Sequence, residues 1–457
     1  MQQASLVAAF KTLGCKLNQA ETDAIADSFK SSGAVIKGWN QAADVYVLNT
    51  CTVTGKAEQK ARRELRLAQR QNPKALLLVT GCYAELDPDA LAALVPGALL
   101  VPGSKKSAML KIAQGLAEAK LDGLDLQEEG RLLLQSALGL KSDPFAFFQD
   151  SRGFHSRPQL KIQDGCDRRC TYCRVCLARG PSISLEPEEV LRRAILLEEK
   201  GIAELVLTGI NLAQYRAGGM DFSALLMFLL KNTGKIAFRL SSWEPEKLDG
   251  PFLEAFSQPR IRPHLHLAIQ SGSNSILKAM GRPYSRDTVL KAAEAARRYR
   301  HEPFIAADMI TGFPGETDAD FADSLELVRQ IRPAWLHVFT FSPRPGTKAF
   351  DMKPVPERIA AERAKILGQI AEQGLKDFAA GRLGSITEAV LEKRIKDGAS
   401  GIAASATSEE YLKLLVKGLP QGKMASCRCR IIELPDSTAA DKGFGQSRFD
   451  ALAEYIP

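Results

Sequence analysis

The chain of 457 residues has no apolar run of the roughly 18 residues that a membrane-spanning helix needs. Its first residues, "MQQASLVAAFKTLGC", lack a basic leader, and Lys11 interrupts the apolar stretch. They therefore read as a first β-strand rather than a signal segment, and a cytoplasmic protein with no membrane partner is expected. No tandem repeat is present. Cysteine is sparse: the nine residues are odd in number and clustered, unlike the disulfide framework of a small secreted protein. Thiolate ligands in a reducing compartment fit better. No separate second Cys-x2-Cys knuckle or His pair answers the one in "CTYC", since Cys173-x2-Cys176 shares Cys173 with it, which disfavours a four-ligand structural zinc site.

What is present is a soluble globular composition, 45% apolar and 25% charged, with a formal net charge of +8. This charge permits a polyanionic partner without requiring one. Residues 56–74 hold seven Lys/Arg against two Glu. On a helix, Lys56, Lys60, Arg63, Arg66 and Arg70 fall on one face about 120° wide. Ala57, Ala61, Leu65 and Ala68 fall opposite. An ordinary solvated face and a contact for nucleic-acid phosphates both fit that pattern.

Strand and helix patterns alternate over residues 1–115, which argues for an α/β domain with a parallel sheet. Residues 116–157 lose the rhythm and read as a linker with some packed aromatics. Over 158–375 the alternation returns with longer units. Six strands are expected, in "LKIQD", "ELVLTG", "IAFRLSS", "HLHLAIQ", "FIAADMITG" and "WLHVFTFS", which makes a partial (β/α)6 barrel. Strand periodicity in "HLHLAIQ" sends His264, His266, Ala268 and Gln270 inward and Leu265, Leu267 and Ile269 toward outer helices. After a helix at 356–380, residues 376–436 read as a small all-β barrel. Residues 437–457 read as a polar tail.

Six cysteines form two trios. Cys166, Cys170 and Cys173, spaced Cys-x3-Cys-x2-Cys, follow the first barrel strand, at the end of the barrel where active sites gather. Three thiolates on a four-iron cluster leave one iron open to bind a substrate or cofactor. Cys176, three residues on, reads as a bystander, because a fourth thiolate would close that iron. Cys15, Cys51 and Cys82 each follow a predicted strand of the first domain. In a parallel sheet those ends share one edge, where open α/β sheets bind ligands. A second three-cysteine cluster fits better than three coincidental buried thiols. Cys427 and Cys429, on one face of a predicted strand, read as structural.

The motifs "TLGCKLNQAET", "VLNTCTVT", "VTGCYAEL", "KIQDGCDRRCTYC", "LHLAIQSGS", "MGRPYSR" and "ITGFPGET" resemble those of the radical S-adenosylmethionine methylthiotransferases over nearly the whole chain. The family implies an N-terminal methylthiotransferase domain, a radical S-adenosylmethionine domain and a C-terminal TRAM barrel that binds RNA. It also implies two 4Fe–4S clusters, on Cys166, Cys170 and Cys173 and on Cys15, Cys51 and Cys82. S-adenosyl-L-methionine (two molecules per product), an electron donor and a sulfur donor complete the chemistry. "GCKLNQAET" looks most like the branch that methylthiolates C2 of N6-threonylcarbamoyladenosine beside the anticodon, at tRNA position 37. Isopentenyladenosine in tRNA and a ribosomal-protein side chain are the alternative substrates. The resemblance suggests cofactor contacts at Thr208, Gly209, Ser241 and Gln270. It suggests RNA contacts at Lys413, Lys417, Lys423, Arg428 and Arg430 in the anticodon stem-loop complex. One departure is "RVCLARG" after Cys173, where Cys176 stands at the family's usual proline position.

Overall fold

A computed structural model describes residues 5–149, 156–397, 401–435 and 449–457. The first domain is a five-stranded, all-parallel sheet with the spatial order Val35–Lys37, Val7–Thr12, Val45–Thr50, Leu76–Gly81 and Leu99–Leu100. The strands Val45–Thr50 and Leu76–Gly81 are buried throughout, as expected of a sheet covered by helices on both faces. Order reverses between Val7–Thr12 and Val45–Thr50, and a doubly wound sheet binds ligands at that switch point. Helix Gly55–Gln71 is capped by Thr54, whose hydroxyl accepts the Ala57 N–H. It turns Lys56, Lys60, Arg63, Arg66 and Arg70 to solvent and buries Ala61, Leu65 and Ala68.

The linker reading is corrected. Helices Ala113–Leu121 and Leu126–Leu138 occupy much of residues 116–157. Leu116, Ala117, Leu134 and Ala137 join the core under the first sheet, together with Phe147. Positions 150–155 of that segment lie outside the described residues.

All six expected barrel strands form: Gln159–Lys161, Glu204–Thr208, Ala237–Leu240, His264–Gln270, Phe304–Thr311 and Trp335–Thr340. They pair in parallel, with a break at Ser241 before the short strand Ser242–Trp243. Among the described residues no pairing joins the first strand to the sixth, so the barrel is open on one side. Leu265, Leu267 and Ile269 pack in the core, as the alternation predicts. A register shift between Leu267 and Gln270 ends that regularity, and Gln270 has a left-handed backbone (φ 69°).

Helix Glu357–Ala380 leads into a closed five-stranded barrel. The polar-tail reading is corrected in part: Ala451–Ile456 is a strand that closes this barrel between Lys413–Lys417 and Ser426–Glu433. Positions 436–448 lie outside the described residues. Cys427 and Cys429 point into the barrel core, as structural thiols should.

Buried ions join the domains. Glu21, on helix Lys16–Ser31, bonds to Lys106 of its own domain. It also meets Lys161 at 2.8 Å and Arg179 at 3.1 Å, both from the central domain. Asp164 completes the set, 2.9 Å from Arg179. Burial works to raise the Glu21 carboxyl's pKa, but Arg179, Lys106 and Lys161 overcome it and hold it well below the usual range. A second set ties the central domain to the C-terminal barrel. Glu204 pairs with Arg239 and Arg262, and Arg239 donates to the carbonyls of Ser408 and Glu409. Burial pushes Glu204 up, yet the arginines bring it down to about 2.

Glu21→Gln strands three buried cations with one carboxylate. It should cost about 3–5 kcal/mol at neutral pH, read as a lower thermal midpoint of the metal-free chain. A depressed carboxylate stabilises above its unfolded pKa. The gap between wild type and variant should therefore be full at pH 7 and narrow only as pH falls below about 4.

Candidate active site: two cysteine trios and one cavity

The sheet topology brings Cys15, Cys51 and Cys82 together at the strand ends flanking the switch point. The mutual influence of their charges marks them as neighbours. Gly14 has a left-handed backbone (φ 96°), and a Cβ there would stand 2.7 Å from the Cys51 Cβ. Gly81 (φ 100°) is tighter still, since its Cβ would stand 2.3 Å from the Thr50 carbonyl oxygen. Asn18 locks the loops by donating to the carbonyls of Leu13 and Thr50 at 2.9 and 3.0 Å. Cys51 and Cys82 are buried, whereas Cys15 is exposed toward a cavity. Burial pushes the Cys51 thiol up to about 12 and raises Cys15 as well. A metal bound here would have to displace the Cys15 and Cys51 protons.

The second trio lies on the loop after the first barrel strand. Gly165 (φ 68°) starts it where a Cβ would stand 1.9 Å from the Pro181 carbonyl oxygen. Each thiol has a donor near it. Arg282 Nη1 lies 3.3 Å from Cys170 Sγ, and the Val175 N–H lies 3.4 Å from Cys173 Sγ. The Arg168 N–H and the Asn211 side chain bond to Cys166. Such donors favour the thiolate, against the burial that pushes Cys173 up to about 12. The loop is pinned on its far side by Thr171, which donates to the carbonyls of Met280 and Ala279. Cys176 sits on helix Val175–Arg179, with its thiol 3.8 Å from the Cys173 carbonyl oxygen.

The trios are neighbours across the domain boundary. Arg174, beside Cys173, donates to Thr52, beside Cys51, at 3.1 Å and to Asp87 at 2.9 Å. Arg344 also bonds to Thr52 and to Glu58. Sequence reading passed over Arg174 and Arg282. Arg282 stands inside the quoted "MGRPYSR", so the motif was visible but its thiol contact was not.

A cavity of about 590 Å³ extends from Cys15 through the barrel interior to the C-terminal barrel, within the size range of small-molecule sites. Thr208, Gly209 and Ser241 line it with His264, His266, Asp308 and His337. Gln270 is not among its lining residues; the strand irregularity before it takes it out of the inward series. The Thr208 and Ser241 hydroxyls are buried without a hydrogen-bond partner. Buried polar atoms left unpaired point to an absent ligand, and S-adenosylmethionine, with its amino, carboxylate and ribose groups, fits them. Among the described residues no three His, Cys, Asp or Glu side chains converge on a single metal ion. Two all-thiol trios instead match the donor set of iron–sulfur clusters.

Two substitutions separate the roles of Cys173 and Cys176. Cys173→Ala should abolish the electron paramagnetic resonance signal of the reduced central-domain cluster. Cys176→Ala should leave that signal and the iron content unchanged.

Residues 7–103 match the family described as uncharacterized protein family UPF0004, and residues 160–328 match the radical SAM superfamily. The threonylcarbamoyladenosine tRNA methylthiotransferase MtaB of Treponema pallidum (strain Nichols) is 39% identical over 456 residues, spanning 88% of this chain and 93% of the relative. The same-named protein of Bacillus subtilis (strain 168) is 33% identical, spanning 90% of each chain. In fold, the chain resembles the radical S-adenosylmethionine methyltransferase TsrM of Kitasatospora setae, solved with tryptophan substrate and a S-adenosylmethionine analogue. That likeness has a TM-score of 0.52 at 14% identity and covers 76% of this chain and 75% of that one. Matched over most of its length, the chain belongs to the radical S-adenosylmethionine methylthiotransferases, alongside the MtaB-named enzymes.

Proposed function

We propose that this protein adds a methylthio group to C2 of N6-threonylcarbamoyladenosine at position 37 of tRNA. The observation that carries the reading is the opening of Cys15 onto the cavity that also holds the unpaired Thr208 and Ser241 hydroxyls. A sulfur-bearing centre and a cofactor-sized site then face one substrate volume. The C2–H bond of adenine is not acidic enough for an acid–base pair, so the cofactors have to carry the hard step. When bound, two clusters and S-adenosylmethionine supply the electron, the radical and the sulfur.

The chain's own residues prepare the site. Cys166, Cys170 and Cys173 would hold the cluster that binds S-adenosylmethionine, and Cys15, Cys51 and Cys82 the auxiliary one. Arg282, Asn211 and the backbone N–H groups of Arg168 and Val175 stabilise the thiolates of the first. Thr208 and Ser241 offer their hydroxyls to the cofactor. Phe304, Trp335 and Tyr411 give the cavity aromatic walls. An external electron donor and sulfur donor serve a cytoplasmic enzyme.

The tRNA anticodon stem-loop would lie against the C-terminal barrel. Lys417, Lys423, Arg428 and Arg430 are exposed there. Lys413 is half-buried and engaged with Glu392 at 3.0 Å, which makes it the weakest of the expected phosphate contacts. The exposed basic face of helix Gly55–Gln71 adds a second phosphate surface. Binding should weaken with salt, with a log–log slope of about −0.7 for each phosphate neutralised on single-stranded RNA. A slope near zero would contradict a phosphate-based interface.

Nucleoside mass spectrometry of tRNA from cells with and without the gene tests the substrate. Deletion should remove the 2-methylthio form of threonylcarbamoyladenosine and leave its unthiolated parent. Loss of methylthio-isopentenyladenosine instead would assign the isopentenyl substrate.

A further inference from the structure

Lys16 follows Cys15 directly and lines the same cavity. Its ammonium lies 5.6 Å from the centroid of the Tyr411 ring, and among the described residues it has no carboxylate within ion-pair distance. Among the described residues, the other charges on the cavity wall lie nearer to different groups. Asp308 Oδ1 is 2.9 Å from His266 Nε2 and acts on Lys16 only across the cavity. Asp450 accepts the Lys413 N–H at 2.8 Å, and the Lys413 ammonium pairs with Glu392. Arg239, on the same Tyr411 ring, is committed to Glu204. Among the described residues the cavity thus presents one cation without a carboxylate at ion-pair distance, on the residue next to the cysteine that opens onto it. A half-buried ammonium without a close counterion is costly, and a ligand carboxylate supplies that close charge.

Resting on the function proposed above, we propose that Lys16 is the specificity residue that binds the free carboxylate of the substrate's threonyl group. The substrate's own chemistry suits this placement. In adenine, C2 and the N6 substituent flank the same ring nitrogen, N1. A base presented with C2 toward the auxiliary cysteines therefore carries its N6 substituent along the same wall. An isopentenyl group at N6 has no anion to offer, and with it Lys16 would stay uncompensated. Such unpaired buried charge is a strong source of discrimination.

S-adenosylmethionine also bears a carboxylate, so the test separates the two sources. Cluster-loaded wild type, Lys16→Met and Lys16→Arg would be titrated anaerobically with two anticodon stem-loops. One carries threonylcarbamoyladenosine, and the other its neutral carboxamide. Wild type and Lys16→Arg should prefer the carboxylate by about 10-fold or more. Lys16→Met should bind the two within about twofold, with iron content and S-adenosylmethionine affinity unchanged. A wild type that binds both stem-loops alike overturns the inference, whatever the variants do. So does a Lys16→Met protein that keeps the preference, or one that loses only S-adenosylmethionine affinity. Turnover of the wild type marks which idea failed. If it methylthiolates the carboxylate stem-loop without discrimination, only the role of Lys16 falls. If it leaves that stem-loop untouched and converts an isopentenyl one, the substrate reading falls with it.

Discussion

The Glu21 carboxylate holds this architecture together. It lies among Lys106, Lys161 and Arg179, and among the described residues Asp164 alone shares the load. Separate cations from two domains cannot be buried side by side without an anion between them. Glu21 therefore fixes the register of helix Lys16–Ser31 against the first barrel strand. Its position has a chemical consequence, because Cys15 caps the start of that helix. The ion cluster that docks the domains also sets where the auxiliary cysteines meet the open barrel. Arg179 reaches both sides: it bonds to Asn18, the residue that closes the loops around Cys15 and Cys51.

Across this junction, the loop that carries Cys173 and the loop that carries Cys51 are brought into contact. Arg174 and Thr52 link the residue after Cys173 to the residue after Cys51. A shift of either domain would move one trio relative to the other and reshape the cavity onto which Cys15 opens. This is why the interface is built from buried, multiply bonded ions, whose geometry is specific, rather than from an apolar contact that could slide. The Glu204 cluster plays the same part at the other end, where Arg239 reaches from the barrel to the carbonyls of Ser408 and Glu409.

Much of this was legible in the sequence, for identifiable reasons. Strand-end cysteines follow from short apolar runs that stop at Gly14 and Gly81, so the sequence pattern alone places the first trio on one edge. The amphipathic helix with Lys56 and Arg63 outward is a local property and reads directly. Helix Leu126–Leu138 did not read, because Gly130 interrupts its pattern. The glycine is needed because a Cβ there would stand 2.6 Å from Leu76, a tertiary constraint with no local signal. Strand Ala451–Ile456 was missed because its partners are distant in the chain. Inward alternation placed His264 and His266 on the cavity wall, but it failed at Gln270, past an irregularity that strand periodicity cannot foresee. That Lys16 lacks a close carboxylate among the described residues depends on where every other charge in the cavity lies, and only the folded chain displays that.

On the proposed function, each of the two cysteine trios holds a cluster, and the trio of Cys15, Cys51 and Cys82 opens through Cys15 onto the cavity. Iron and acid-labile sulfide analysis, with Mössbauer spectroscopy, of the anaerobically loaded chain and its Cys15→Ala/Cys51→Ala/Cys82→Ala variant tests it most directly. The wild type should bind about eight irons and the variant about four, all still in a 4Fe–4S state. A wild type that saturates at about four irons, or a variant that keeps the full complement, would contradict the account.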